Sequence, residues 1–350
     1  MKIEIRELTT PAQENDFRKP ARIVYADDPL RLQTNEPIPE SATPLIAYED
    51  SRPVARCGIT LQTENPSIGT IGWFEALNRP EAVRKLLHTA ADHLKKRNVR
   101  RIIGPMNGDT WHPYRLNTGP FGAPPFIKEP WNPPYYPELW EQAGFQPTET
   151  YDSFIIRNPQ AAADNQQKFY DRCLRHGYTF EPVTSQNFTE MIPLFYTLSC
   201  RIFSENVLYT PISLDEFRAL YLPAKPLFQS GLSWLARAAD QTPAGYIFTF
   251  PDYSEALNAM RGKSNLPAKL RFLLNRRKAE RTCIKTLGTL PEHRNTGLGI
   301  ALMQLSFANS ARLGYRETLM CLMHSANDSR RLGGGQNEPY RTYTLYELAP

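Results

Sequence analysis

The sequence predicts an α/β protein of two related lobes, each a mostly antiparallel mixed sheet flanked by helices. Three observations lead there. The chain has 350 residues, more than a single core usually supports. One order of elements, with a long helix between antiparallel strands and a later strand, occurs twice along it. A glycine-rich turn from strand to helix stands in the second copy alone.

The first copy spans 1–157. Residues 2–8 alternate polar and apolar and read as a strand. Thr10-Pro11-Ala12-Gln13 reads as a helix start with a capping box. Strand-like runs follow at 44–48, 54–61 and 68–74. Val83, Leu86, Leu87, Ala90 and Leu94 then recur at helical spacing. Residues 99–103 read as a strand and 104–134 as a Pro/Gly-rich loop. A helix over 135–143 is stopped by Gly144, and closing strands fall at Phe145 and 150–156.

Residues 158–165 read as a linker, and the second copy spans 166–350. Its strands are expected at 178–183, 234–238, 246–250, 283–290, 318–323 and 340–348. Helices are expected at 187–204, 213–222 and 298–313, the second opened by the capping box Ser213-Leu214-Asp215-Glu216. The helix from Leu298 carries apolar residues on two faces, which predicts cover on both sides. A basic insertion over 254–281 holds leucines at partly helical spacing. It reads as a solvated amphipathic segment, with contact to a ligand phosphate or an acidic partner as the alternatives.

Hydrophobic residues make up 41% and charged residues 22%, which suits a soluble globular chain. The net charge of +5 is mild for this length, and few aromatics interleave with the basic insertion. The first gives no argument for nucleic acid, and the second speaks against a single-stranded one, so nucleic acid is not the expected partner. Five widely spaced cysteines offer neither a metal-ligand pattern nor an even disulfide framework. The expectations are a reduced, cytoplasmic compartment and no metal. With no apolar run of membrane-spanning length, no membrane partner is expected either.

The chemistry concentrates at Leu290-Pro-Glu-His-Arg294-Asn295-Thr296-Gly297-Leu298-Gly299-Ile300. Glycines let backbone approach a ligand closely. The first amides of a helix lack intrahelical partners and sit at its positive end, so such a turn suits a diphosphate. The turn lacks the Gly-Lys-Ser/Thr of a nucleotide P-loop and is shorter than the dinucleotide fingerprint. CoA diphosphate is therefore favoured over ATP or NAD.

"LPEHRNTGLGIALMQ" resembles motif A of the GNAT superfamily of CoA-dependent N-acyltransferases. The order of elements fits that family over nearly the whole chain, as a tandem pair. The resemblance implies acetyl-CoA or another acyl-CoA as co-substrate and a primary amine on a small molecule as acceptor. It implies that Leu290, Arg294, Asn295, Thr296, Gly297, Leu298, Gly299, Ile300, Asn327 and Ser329 hold the CoA. In the first lobe Asn78, Glu81 and Val83 stand where Arg294, Gly297 and Gly299 stand in the second. A carboxylate there repels a phosphate, so that lobe is expected not to bind CoA.

The loop containing "GPMNGDTW" also resembles tandem GNAT proteins. It offers Asn107, Asp109, Trp111, Tyr114, Arg115 and Glu129 as acceptor-binding candidates; the bland alternative is a loop packed on its own aromatics. Asn206, Tyr209 and Tyr253 join that set. Many GNAT enzymes place a Tyr after the Asn of the fifth strand to protonate the sulfur, but 328–335 contain none. Tyr340 is the substitute expected as acid, with Asp252, Glu205 and His324 as candidate bases. Two rivals share the architecture: an aminoacyl-tRNA-dependent transferase, and a non-catalytic acyl-CoA-binding protein.

Overall fold

A computed structural model describes residues 2–27, 38–263 and 265–348. The elements run β1 (Ile3–Glu7), α1 (Pro11–Val24), β2 (Thr43–Glu49), β3 (Arg52–Leu61), β4 (Ile68–Ala76), α2 (Pro80–Lys95), β5 (Arg101–Gly104), β6 (Leu116–Gly119), α3 (Tyr136–Gln142) and β7 (Phe145–Ile156). They continue with α4 (Pro159–Arg175), β8 (Thr179–Val183), α5 (Phe188–Phe203), α6 (Leu214–Tyr221), β9 (Ser233–Arg237) and β10 (Pro243–Pro251). The last are α7 (Ser254–Ala259), α8 (Leu266–Asn275), β11 (Arg281–Thr289), α9 (Leu298–Arg312), β12 (Glu317–His324) and β13 (Glu338–Leu348).

The chain forms two compact units. Unit 1 comprises Met1–Thr150, Ala256–Leu274 and Thr342–Pro350; unit 2 comprises Tyr151–Glu255 and Asn275–Arg341. This division differs from the sequence boundaries in three ways, the first being that 151–157, read as the close of the first copy, belong to unit 2. The end of β13 completes the sheet of unit 1, where it pairs with β5 through Tyr346↔Gly104 to Leu348↔Ile102. Most of the basic insertion also groups with unit 1. Long-range strand pairing set these memberships, and chain order does not carry that information.

In unit 1, β1 to β4 form an antiparallel meander, and β5 joins β4 in parallel. Helix α2 covers one face. Its five predicted stripe residues are all fully buried, against Leu45, Ala47 and the ring of Trp140. Each such leucine contributes roughly 1.5–3 kcal/mol. Phe17 of α1 packs on Ile46, Tyr48 and Trp73 across the other face. The expected helix start holds, with Gln13 Oε1 accepting from the Thr10 amide at 3.0 Å. A short strand, β6, interrupts the region read as continuous loop.

In unit 2, β8 to β11 are antiparallel, β12 runs parallel to β11, and Tyr151–Ile156 of β7 pairs antiparallel with β12. The segment read as a linker is a correction: it begins helix α4. The Asn158 side chain caps it from Ala161 N, with Pro159 in the first turn. Its buried stripe is Ala162, Ala163, Gln166 and Cys173, too weakly apolar to stand out by periodicity. Those small side chains let α4 lie close on α9. Helix α9 is buried around Ala301, Leu302, Met303 and Phe307, so its two apolar faces are covered as predicted.

The two units treat their central parallel strand pair differently. In unit 1 the ladder runs from Ile68↔Arg101 to Thr70↔Ile103. The chain beyond β5 then stays against β4: Met106 N donates to Ile71 O at 2.9 Å, and Asn107 Oδ1 accepts from Trp73 N at 2.6 Å. A Cβ on Gly72 would lie 2.2 Å from Met106 O. Gly72→Ala must push backbone from backbone, and overpacking of this kind costs about 3 kcal/mol. Its thermal midpoint should fall by several degrees by scanning calorimetry, whereas an unchanged midpoint would show that the strands can part there.

Candidate acyl-CoA site

In unit 2 the corresponding strands separate. The ladder of β11 and β12 runs from Arg281↔Glu317 to Ile284↔Met320 and stops, although β11 continues to Thr289 and β12 to His324. Each strand then follows its outer neighbour. Strand β11 stays paired with β10 to Thr289↔Gly245, and β12 follows β7 to His324↔Tyr151. Both strands are bulged where they part. The β10–β11 register shifts at Phe248/Thr249, leaving Lys285 as the extra residue. The β12–β7 register shifts between Met320 and Met323, where Leu322 has φ 62°. A bulge turns backbone groups out of the ladder and sharpens the bend.

The closed end of this pair is bolted. Thr282 Oγ1 lies 2.9 Å from Thr318 Oγ1 and 3.1 Å from Ser310 Oγ, which joins β11, β12 and α9. Arg281 Nε donates to the buried Asp252 Oδ2 at 2.6 Å. Arg157 reaches Glu317 at 2.8 Å and Glu338 at 2.8 Å.

The glycine turn sits at the open end. Leu290 is buried and its amide donates to Ala244 O at 2.9 Å, which anchors the end of β11. A single 3₁₀ turn over Pro291–His293 leads to Arg294. Asn295 and Gly297 take left-handed φ of 62° and 92°, a region open to Gly and less readily to Asn. Thr296 Oγ1 donates to His293 O at 2.8 Å and accepts from Leu298 N at 3.3 Å, tightening the turn. His293 Nδ1 lies 2.9 Å from the Tyr178 hydroxyl.

The two glycines have different reasons. A Cβ on Gly297 would meet Phe169 Cδ1 at 3.2 Å in addition to the backbone strain. A Cβ on Gly299 would meet just Leu332 Cδ1, at 3.9 Å, an ordinary contact. Backbone conformation and packing thus explain Gly297, while Gly299 leaves room above the amides of the first helical turn, including that of Ile300. That cradle fits a diphosphate. Arg294 points back from it: Nη1 donates to Glu205 Oε2 at 2.7 Å and Nη2 to Ile202 O at 3.3 Å.

The strand direction sorts the catalytic candidates. His324 ends β12 on the open side, and Glu205 is held by Arg294 at the turn. Asp252 and Tyr340 lie at the other end, joined through Arg281, whose Nη1 is 3.3 Å from the Tyr340 hydroxyl. From Arg281 to Thr289 the strand climbs about 26 Å, at roughly 3.3 Å per residue. Tyr253, whose phenol burial pushes above its usual range, follows Asp252 at that closed end. His324 Nδ1 accepts from Ala326 N at 3.2 Å, which leaves the proton of a neutral ring on Nε2.

Asn327 is exposed, and its Oδ1 accepts from Ser329 N at 3.0 Å, capping a short 3₁₀ turn. With Phe154, Ser325, Arg330 and Arg331 it lines a cavity of about 270 Å³. Arg330 is held there by Asp152 at 2.6 Å. Asn206 accepts from Tyr209 N through its backbone at 3.1 Å in the turn after α5. Burial, aided by Cys200, raises the Tyr209 phenol well above its ordinary value.

In unit 1 the polar residues of the 104–129 segment bind one another. Asp109 Oδ1 accepts from the Trp111 and His112 amides and lies 2.9 Å from His112 Nδ1. Arg115 stacks on the Tyr114 ring, 3.9 Å from its centroid. Glu129 is buried, accepts from Phe126 N at 2.9 Å, and hydrogen-bonds the Tyr343 hydroxyl. Sequence reasoning missed Phe169, Arg281 and the Asn107–Trp73 contact. The Asn-Pro start of α4 was the available signal for the first of these; the other two depend on strand pairing. Among the described residues, no group of three or more His, Cys, Asp or Glu is placed to hold a metal.

No protein-family model matches the sequence, and no curated protein matches it. Solved structures do match the fold. A probable N-acyltransferase from Enterococcus faecalis is 10% identical, with a TM-score of 0.58 over 99% of this chain and 72% of that one. A GCN5-related N-acetyltransferase from Sphaerobacter thermophilus is 12% identical, with a TM-score of 0.52 over 99% and 96%. A tandem GNAT protein from the clavulanic acid biosynthesis pathway is 11% identical, with a TM-score of 0.52 over 100% and 99%. At these identities the likeness is one of fold: the chain has the tandem GNAT fold.

The placement of Tyr340 gives a test. Tyr340→Phe should leave the pH dependence of any acyl-transfer rate within about twofold, because the Tyr340 hydroxyl is engaged by the Arg281 guanidinium, and a group held away from the sulfur gives none of the roughly 10²–10⁴-fold of a general acid. Loss of the alkaline limb of the profile would put Tyr340 back at the sulfur.

Proposed function

We propose that this chain transfers an acyl group, acetyl being the expected one, from CoA to a primary amine of a small molecule. The observation that carries this reading is the parted β11–β12 pair with the glycine turn at its open end. Both features have a counterpart position in unit 1, and there the strands are kept closed by their own chain. One lobe therefore serves the co-substrate.

The residues present fit CoA. The amides from Asn295 to Ile300 and the Arg294 guanidinium would hold the diphosphate, and the gap between β11 and β12 would take the pantetheine arm. The thioester supplies an activated acyl carbon. The amine nitrogen attacks that carbon, the C–S bond breaks, and the thiolate leaves with the electron pair. A backbone N–H released from the ladder at the Lys285 bulge would polarise the acyl oxygen. Holding both reactants in one groove supplies much of the rate. A thiol titrates near 8.5, so the departing thiolate needs no strong acid, and water can take the proton lost by the amine.

Glu205 has a different part in this reading. The long pantetheine arm keeps the thioester away from the diphosphate, and Glu205 sits with Arg294 at the diphosphate end. It competes with the cofactor for that guanidinium. His324 ends β12 on the open side, and its Nδ1 is taken up by the Ala326 amide, so Nε2 is the ring nitrogen left for a part in the transfer.

Two measurements test the reading. Calorimetry with CoA should give one site per chain. Gly299→Glu should keep the wild-type thermal midpoint, since the fold has room for its Cβ, yet lose CoA binding by at least about a hundredfold through charge and bulk at the cradle. Retained affinity would remove the turn from the site. Glu205→Gln should tighten CoA by about two- to fivefold at low salt, the scale of an exposed ion pair, with the gain shrinking as salt screens the charges. Weaker binding would mean that Glu205 orients Arg294 for the cofactor.

A further inference from the structure

The basic segment grouped with unit 1 presents a surface that acyl transfer does not use. Helix α8 touches its surroundings through Ala268, buried, and Phe272 and Asn275, half-buried. Those positions are i, i+4 and i+7, one face of a helix. The opposite face is a stripe of leucines at another i, i+4, i+7, i+8 set. Leu266 is 80% exposed, Leu270 55%, Leu273 47% and Leu274 66%. Three of these exceed every other large apolar side chain among the described residues. Lys269 and Arg271, both exposed, stand on the two shoulders of the stripe, and Arg261 and Lys263 precede the helix. Residues 256–274 contain no Asp or Glu.

From this geometry we infer that α8 is an interfacial anchor that docks the protein on an anionic lipid surface. A leucine ridge with cations on both shoulders matches what a helix lying in the headgroup plane requires. The leucines reach the acyl boundary while the cations meet lipid phosphates. Lys and Arg also extend their stems along such a boundary and keep their charges in the headgroup layer. A protein groove fits less well. The ridge is convex and purely aliphatic, and its one aromatic, Phe272, faces inward, whereas protein interfaces concentrate Trp, Tyr and Arg anchors. The sequence expectation of no membrane partner rested on the absence of a spanning run. No helix among the described residues is long and apolar enough to cross a membrane, but an interfacial helix needs no such length. The inference stands apart from the acyl-transfer reading.

The test is sedimentation of the full chain with vesicles of phosphatidylcholine containing about 30% phosphatidylglycerol, against vesicles of phosphatidylcholine alone. Binding is expected on the anionic vesicles, about tenfold weaker on the neutral ones, and falling with added salt. The double variant L270E/L274E should lower the partition by about tenfold or more. Lys263→Glu with Lys269→Glu should abolish the preference for anionic lipid. All four positions are exposed, so both variants should keep the wild-type thermal midpoint, and Leu270→Ala with Leu274→Ala provides a milder pair should the charges disturb folding. Absence of vesicle binding, or binding indifferent to the leucines, overturns the proposal. Capture of an acidic protein through the stripe without vesicle binding also overturns it, in favour of a protein partner.

Discussion

Everything in unit 2 depends on a parallel strand pair that holds together for four residues and then opens. Strand pairing is cooperative along a ladder, so an opening of this kind needs forces on both sides. At the closed end, Thr282, Thr318 and Ser310 share buried hydroxyl contacts, and Arg281 is tied to Asp252. At the open end, each strand is drawn off by its outer neighbour, and a bulge in each absorbs the change of direction. Buried polar contacts are stable only when satisfied. The hydroxyl set and the ion pair therefore fix where the ladder is shut, and hence where it begins to open.

Unit 1 treats the corresponding strand pair in the opposite way. The same strand pair there is followed by a chain that keeps bonding to β4, and Asn107 presents its amide oxygen to the Trp73 N–H. Gly72 permits that approach. The first lobe has filled its own groove with backbone and an amide side chain. Glu81 stands in the first turn of α2, where a carboxylate complements the helix dipole.

Charge at the turn is balanced before any ligand arrives. Arg294 is oriented by Glu205 and the Ile202 carbonyl, which keeps a guanidinium near the cradle at the cost of a competing carboxylate. Exposed ion pairs of this type are weak, so Glu205 holds the guanidinium only loosely.

The sequence by itself determined the amphipathic helix α2, the doubly apolar helix α9, the capped starts of α1 and α6, and the turn at 294–299. Those features rest on local periodicity, caps and glycine geometry, which act over a few residues. It did not reveal α4, because Ala162, Ala163 and Gln166 make a stripe suited to close helix packing and nearly silent in hydrophobicity. Only the tertiary structure decided that Thr342–Leu348 serves unit 1, that Tyr340 and Asp252 stand at the closed end of β11, and that the leucines of α8 face outward. Each of those facts depends on which strand or face meets which partner far along the chain. Pairing of that kind is selected by the summed burial and hydrogen bonding of the whole sheet, and no short window of sequence carries it.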